Sequence, residues 1–340
     1  MNALNKYEDI QSLLHAPAKT AALGAAITTG LLWMLAEEPM SADEIVKALN
    51  LPGKRGYYWL QFLQSFGILE KLPQGYKTSS GVCSAILRTI SKESWQHLVI
   101  DEQEKDACVH GIPQHIGDAG SLWTLQGLKA PENYVDRMRT DPERAREFTY
   151  MLFEVHQNLA RQVAELLDLT GIEYMMDLGG NSGMISMALL RKYPALTSTV
   201  VDLGNVCAAG REIATEQGFS DRITYHPAEF YKDEFPSGFD LVLQCDVALY
   251  DIELLYKLHS SLKAGGRLIY VDHFSPAENF APVTRIEWTF LDSLHDPDFG
   301  FPTLAEVKSR LNHVGFDCQE GHQTIGEGLI VLNAWKRKDS

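Results

Sequence analysis

The 340-residue chain is 45% hydrophobic and carries 30 basic against 45 acidic side chains, a formal charge of −15. That balance suits a globular protein with room for two cored domains, and it repels nucleic-acid phosphates and anionic lipid. The cysteines, Cys83, Cys108, Cys207, Cys245 and Cys318, are odd in number and lack metal-type pairing, which fits reduced thiols rather than a disulfide framework.

In chain order, the most apolar stretch, residues 21–36, is interrupted by Gly24, Thr28, Thr29 and Gly30. It falls short of the ~20 residues a membrane span needs. With no leader-like segment before it, the expected location is the cytoplasm, with no membrane partner. Residues 16–38 read as one helix. Ser41, followed three residues later by Glu44, makes a capping-box start for a helix running to about Leu49. Residues 53–66 read as a further helix and residues 67–78 as a β-hairpin. Helix, helix and two-stranded wing form a winged-helix arrangement, which taken alone suggests a DNA-binding regulator. The second helix, however, offers only Lys54 and Arg55 before a mostly apolar run, so no nucleic-acid partner is expected. Residues 84–170 read as largely helical, with Pro131 and Pro142 near helix starts. From about Gly171 strands alternate with helices, the pattern of a parallel sheet.

Residues 174–183 read Tyr-Met-Met-Asp-Leu-Gly-Gly-Asn-Ser-Gly: a buried strand runs into a tight glycine turn. A helix pattern follows from Met184, then a strand ending in Asp202. This strand, glycine loop, helix, strand and acid unit is how open parallel sheets hold an adenosyl group. Gly179, Gly180 and Gly183 let the backbone approach the ligand, and Asp202 is placed to accept two ribose hydroxyls. Asp177, beside the loop, would repel a pyrophosphate but suits an ammonium. S-adenosylmethionine carries an ammonium and a sulfonium and no phosphate, so it is the expected cofactor. The run resembles the first two motifs of class I methyltransferases. Asn181 stands where the family has its middle glycine, and Asn tolerates positive φ better than other side chains.

An N-terminal winged helix, a helical connector and a C-terminal methyltransferase sheet together resemble the small-molecule O-methyltransferase superfamily, which includes plant phenolic and bacterial polyketide enzymes. The resemblance implies an α/β fold: a Rossmann-like class I methyltransferase sheet with an N-terminal winged-helix dimerisation domain. Its domains would be residues 1–84, the winged helix; 85–170, a connector lining the substrate pocket; and 171–340, the cofactor domain. A homodimer follows. The match also implies that Glu229 accepts the adenine amino group and Phe230 packs on the ring, with Gln244 among the cofactor contacts.

One departure directs the choice of chemistry. O-methylating members carry His-Asp-Trp after the fourth strand, and that histidine deprotonates the acceptor. Here residues 248–253 read Ala-Leu-Tyr-Asp-Ile-Glu. Tyr250 is an alternative base, though an unperturbed phenol with a pKa near ~10 is a poor one at neutral pH. Asp246, His273 and His295 instead form a facial set of two histidines and a carboxylate, suited to a divalent metal such as zinc or iron. An open metal site beside a methyl donor resembles the α-keto acid C-methyltransferases. There a 2-oxo acid chelates the ion and its β-carbon attacks the methyl group through a stabilised enolate. The resemblance implies phenylpyruvate, 4-methyl-2-oxovalerate or 5-guanidino-2-oxovalerate as acceptor, and Glu154, Asp292 and Asp296, carboxylates suited to a guanidinium, favour the last. Asp246, His295 and Tyr250 are the candidate catalytic residues. The alternatives are a metal-free O- or N-methyltransferase using Tyr250 or His295, and a winged-helix regulator with a degenerate methyltransferase domain.

Overall fold

The computed structural model describes residues 4–326 and 328–338. The chain divides into two compact units, Met1–Glu104 and Lys105–Ser340. In the first, the expected continuous helix over residues 16–38 is split. Ala16–Thr28 ends at Thr29, Gly30 turns left-handed at φ 75°, and a short helix, Leu31–Met34, resumes. The capping box forms as read: Ser41 Oγ accepts from the Glu44 amide and Glu44 accepts from the Ser41 amide, starting the helix Ala42–Ala48. The helix Gly53–Ser65 then buries Gly56, Leu60 and Leu63. Strands β1 (Leu69–Leu72) and β2 (Gly75–Thr78) make the hairpin. Gly75 is required there, because a Cβ would lie 2.0 Å from the Met40 carbonyl oxygen that β2 bonds. Ala26, Leu31, Leu32, Ile45, Leu60 and Leu63 form this unit's core.

The second unit is built on one eight-stranded sheet. Its strands are β3 (Tyr174–Leu178), β4 (Thr197–Asp202), β5 (Ile223–Pro227), β6 (Phe239–Cys245), β7 (Leu262–Asp272), β8 (Phe316–Cys318), β9 (Gln323–Ile325) and β10 (Leu329–Lys336). The order is β5-β4-β3-β6-β7-β10-β8, with β9 also on β10; the first five are mutually parallel and β10 runs antiparallel to β7. Parallel strands are buried on both faces and so read as near-continuous apolar runs. Successive residues face opposite sides. Met175, Leu241 and Leu243 enter one core, and Met176 and Val242 enter the other. From β3 the chain winds outward to β5, then returns to the other flank of β3 as β6. Ligands bind at such a reversal, outside the carboxyl ends of the strands. Helices Pro142–Val155 and Gln157–Leu166 meet at His156, and the second buries Ala160, Val163 and Ala164 against the sheet core. Among the described residues no helix is long and apolar enough to cross a membrane.

Candidate active site at the carboxyl edge of the sheet

The glycine turn emerges from β3 as the motif dictates. Gly179 is left-handed at φ 66°, and its amide donates to the Val201 carbonyl at 2.8 Å. Asn181 is also left-handed, at φ 48°, and its Oδ1 accepts from the Ser182 amide at 2.7 Å. The asparagine thus stabilises the turn that a glycine would only permit. Gly183 caps the helix Met184–Lys192. Asp202 closes β4 with its Oδ2 accepting from the Asn181 amide at 3.0 Å and its Oδ1 from the Leu203 amide at 2.7 Å. Burial pushes its pKa up to about 6 against those two bonds.

Asp177 lies beneath the turn rather than open to it. It is 1% exposed, its Oδ2 accepts from Ser186 Oγ, and a Cβ on Gly180 would lie 2.5 Å from its carboxyl carbon. Burial raises its pKa to about 6. Gln244 is fully buried, donating to the Leu249 carbonyl at 2.9 Å, while its Oε1 has no partner. Glu229 pairs with Lys232 and lies 3.7 Å from Arg139. Phe230 is half-buried and packs edge-on against Phe235 at 5.9 Å. Tyr134, which sequence reasoning did not single out, is 43% exposed overall, but its hydroxyl end lies beside Asn181 and Asp202, where loss of water and then the Asp202 charge push its pKa up. Nothing near Tyr134 in the chain signals this, since the neighbours are distant in sequence.

The cradle fits an adenosyl group on its own chemistry. The Asn181 side-chain nitrogen is buried and makes no well-aligned hydrogen bond among the described residues, the Tyr134 hydroxyl being its one neighbour of the right kind. Such a donor is costly unless a ligand satisfies it.

On the acceptor side the structure departs from expectation. Asp246 lies just past β6 in a left-handed conformation, φ 55°, and both its oxygens accept from Arg285 Nη2 at 3.0 Å. Val247 packs on the glycine turn, where a Cβ on Gly179 would come within 2.7 Å of it. Ala248 is left-handed too, φ 58°, and its amide donates to Asp272 Oδ2 at 2.8 Å. Asp272 is fully buried, also accepts from the His273 amide at 2.8 Å, and has its pKa raised by burial to about 6.

His273 is 6% exposed, with Nδ1 3.4 Å from Thr284 Oγ1. Burial and then Arg285 lower its pKa, opposed by Asp246. His156 faces the same ion pair: burial lowers its pKa, Asp246 raises it and Arg285 lowers it. Arg285 and His156 carry no motif, and the sequence offered no signal for either.

The expected metal set does not assemble. His295 is exposed at the last turn of the helix Ile286–His295, and Asp246 is engaged by Arg285. Among the described residues, no three His, Cys, Asp or Glu side chains are placed to hold an ion. Tyr250 is no base either: it is 4% exposed, packs on Tyr270 at 5.4 Å and Phe274 at 5.5 Å, and burial drives its pKa far up. The carboxylates expected to receive a guanidinium are Asp292, Asp296 and Glu154. Asp292 faces Lys105 and His295, and Asp296 is exposed and accepts from the Asp298 amide. Glu154 is half-buried on the helix Pro142–Val155.

Comparison with known proteins supports S-adenosylmethionine as the cofactor. Residues 129–291 match the O-methyltransferase domain family. The chain is 28% identical to a 3-hydroxy-5-methyl-1-naphthoate 3-O-methyltransferase of Streptomyces sahachiroi, over 78% of this chain and 76% of the relative. It is 25% identical to the N,N-dimethyltransferase OxyT of Streptomyces rimosus, over 91% of each. It is 26% identical to an L-tyrosine C(3)-methyltransferase of Streptomyces lavendulae, over 80% of this chain and 75% of the relative. In fold it is similar to the mitomycin 7-O-methyltransferase MmcR, with a TM-score of 0.80 at 19% identity over 97% of both chains. The matched segment takes in Tyr134, the glycine turn, Asp202 and Arg285, and the chain is an S-adenosylmethionine-dependent methyltransferase similar to these proteins.

Proposed function

We propose that the enzyme methylates a small acid whose phenolic or enolic group is deprotonated by His156. The observation that carries this is the Asp246–Arg285 pair at the end of β6, with His156 and His273 beside it and both held towards the neutral form. A neutral imidazole is the form that accepts a proton. His156 is influenced by Asp246 more than by Arg285, so the carboxylate stabilises the imidazolium that forms. His273 is influenced by Arg285 more than by Asp246 and stays neutral. S-adenosylmethionine, when bound, supplies the methyl group: the acceptor atom bonds to it as the carbon–sulfur bond breaks, and the electron pair stays on sulfur.

On the cofactor side, Asp202 takes the ribose hydroxyls and the Asn181 side-chain nitrogen, which lacks a well-aligned partner, donates to the ligand. Gly179 and Gly180 leave room for its approach, Asp177 supplies negative charge beneath the turn, and Glu229 and Phe230 serve the adenine end. A 2-oxo acid enters this scheme as its enol, with methylation at the β-carbon. A hydroxyaryl acid enters through its phenol, at oxygen or ring carbon. The relatives' spread over O-, N- and C-methylation accommodates either. Among the described residues no three His, Cys, Asp or Glu side chains gather to hold an ion, and the proposed step calls on none. A homodimer through the N-terminal unit belongs to the same reading, supported by the helix Tyr7–Leu14, which buries no residue and exposes Tyr7 and Leu14.

Solvent deuterium exchange at the β-carbon of phenylpyruvate tests the chemistry. Exchange is expected to survive chelator and to vanish in His156→Ala. Loss on chelation would reinstate an ion, and exchange unchanged in the variant would remove His156 as the base.

A pH dependence follows from the buried carboxylates. Asp177, Asp202 and Asp272 have folded pKa values of about 6, above an unfolded value near ~3.9. The fold therefore holds protons that the unfolded chain has lost, and their contribution to stability is greatest below pH ~4 and declines up to pH ~6. A cationic ligand needs the ionised forms. The rise in melting temperature on adding S-adenosylmethionine is therefore expected to grow between pH 5 and pH 7, and a flat profile in thermal melts would contradict it.

A further inference from the structure

We infer that Arg285 is the anchor for the carboxylate of an aromatic acceptor, which displaces Asp246 from it. This deepens the function proposed above by naming the acceptor class. The Asp246–Arg285 pair is poorly matched as it stands. Both carboxylate oxygens take the same nitrogen, Nη2, rather than the two-nitrogen edge that a guanidinium offers a carboxylate in a bidentate pair. Its side chains are 31% and 26% exposed, so solvent reaches both partners. An ion pair that water reaches is readily exchanged for another.

What surrounds the guanidinium specifies the rest of the ligand. The Arg285 guanidinium carbon lies 5.6 Å from the Trp288 ring centre. Trp288 in turn meets Phe299 at 5.4 Å and Phe301 at 5.6 Å, and Phe301 meets the His273 ring edge-on at 6.4 Å. Trp288 is 39% exposed and the two phenylalanines are half-buried, so this is ring surface still reachable by a ligand. A cation bordered by aromatic rings complements a planar anion: the carboxylate meets the fork, and the ring lies on the aromatic surface. The guanidino acid expected from the sequence also carries a carboxylate, and it is the rings beside Arg285 that favour an aromatic acid over it. Two of the relatives described above act on molecules that carry both a carboxylate and a phenol, the hydroxynaphthoate and tyrosine.

Binding to the full-length enzyme loaded with S-adenosylhomocysteine tests this without turnover. The probes are 3-hydroxy-2-naphthoate and the neutral 2-naphthol, measured by calorimetry or fluorescence. The naphthoate is expected to bind on the order of tenfold tighter, the value of a charge-assisted pair. Arg285→Gln should erase that preference and Arg285→Lys should retain part of it. Asp246→Asn should tighten the naphthoate several-fold by removing its competitor, a gain that a merely structural role for Asp246 would not produce. Equal affinities in the wild type, a preference that persists in Arg285→Gln, or weaker naphthoate binding in a folded Asp246→Asn would each overturn the assignment. So would failure of both probes to bind enzyme that still takes up S-adenosylhomocysteine. These binding outcomes are independent of whether His156 is the base, which the deuterium exchange decides.

Discussion

Asp202→Ala is expected to weaken S-adenosylmethionine binding by at least ~100-fold, with the protein still folded. Hydrogen bonds to a charged group are worth about 1.5–3 kcal/mol each, so losing two ribose contacts costs about 3 kcal/mol or more, which is ~100-fold in affinity. The same truncation strips the Asn181 and Leu203 amides of their acceptor, which loosens the turn itself. One opposing effect works on stability rather than binding: the buried carboxylate is held at a cost, seen in its raised pKa, and alanine removes that cost. Circular dichroism should therefore report an intact fold while equilibrium dialysis reports the lost ligand. Binding within tenfold of wild type would remove Asp202 from the ribose site.

His156→Ala is expected to lower kcat by ~10²–10⁴, the range for losing a general base, with a much smaller change in KM. Tyr250→Phe is the paired control and should leave kcat within about threefold. Its hydroxyl is buried, makes no hydrogen bond of ordinary geometry, and has its pKa driven up by burial and the nearby Asp272. Deleting a buried hydroxyl whose contact to the Asp272 carboxyl is poorly aligned changes little. If the phenylalanine variant lost activity and the alanine variant kept it, the tyrosine would regain the role the sequence first allowed it.

The cofactor half of the site was legible because its parts are local. A strand, a left-handed turn and a helix start follow one another within residues 174–184, and each has its own residue signature. Asp202 followed from the next strand's end. Asn181 looked like a defect and proved a substitute, its own oxygen closing the turn. The acceptor half is assembled from the junction at His156, the end of β6, the end of β7 and the segment at Arg285. No period or spacing in the sequence joins those positions. Reading Asp246 and His273 as strand-end residues was sound, but a strand end does not say which partner arrives, and an arginine arrived where an ion was expected. The break at Gly30 was hidden for a different reason. The apolar pattern continues through it, and only the backbone's left-handed turn divides the two helices.

The three residues after β6 point to three different places. Asp246 reaches Arg285, Val247 presses on the glycine turn, and Ala248 is fastened to the buried Asp272. Two of the three hold a backbone conformation that side chains rarely adopt, so the segment has no slack to absorb a change in length. Insertion or deletion of a single residue here would misdirect every contact at once. Diversification of acceptor chemistry on this scaffold must therefore come from side-chain exchange around a turn of constant length. Val247 is also the contact by which a displacement of the glycine turn would reach the segment that carries Asp246.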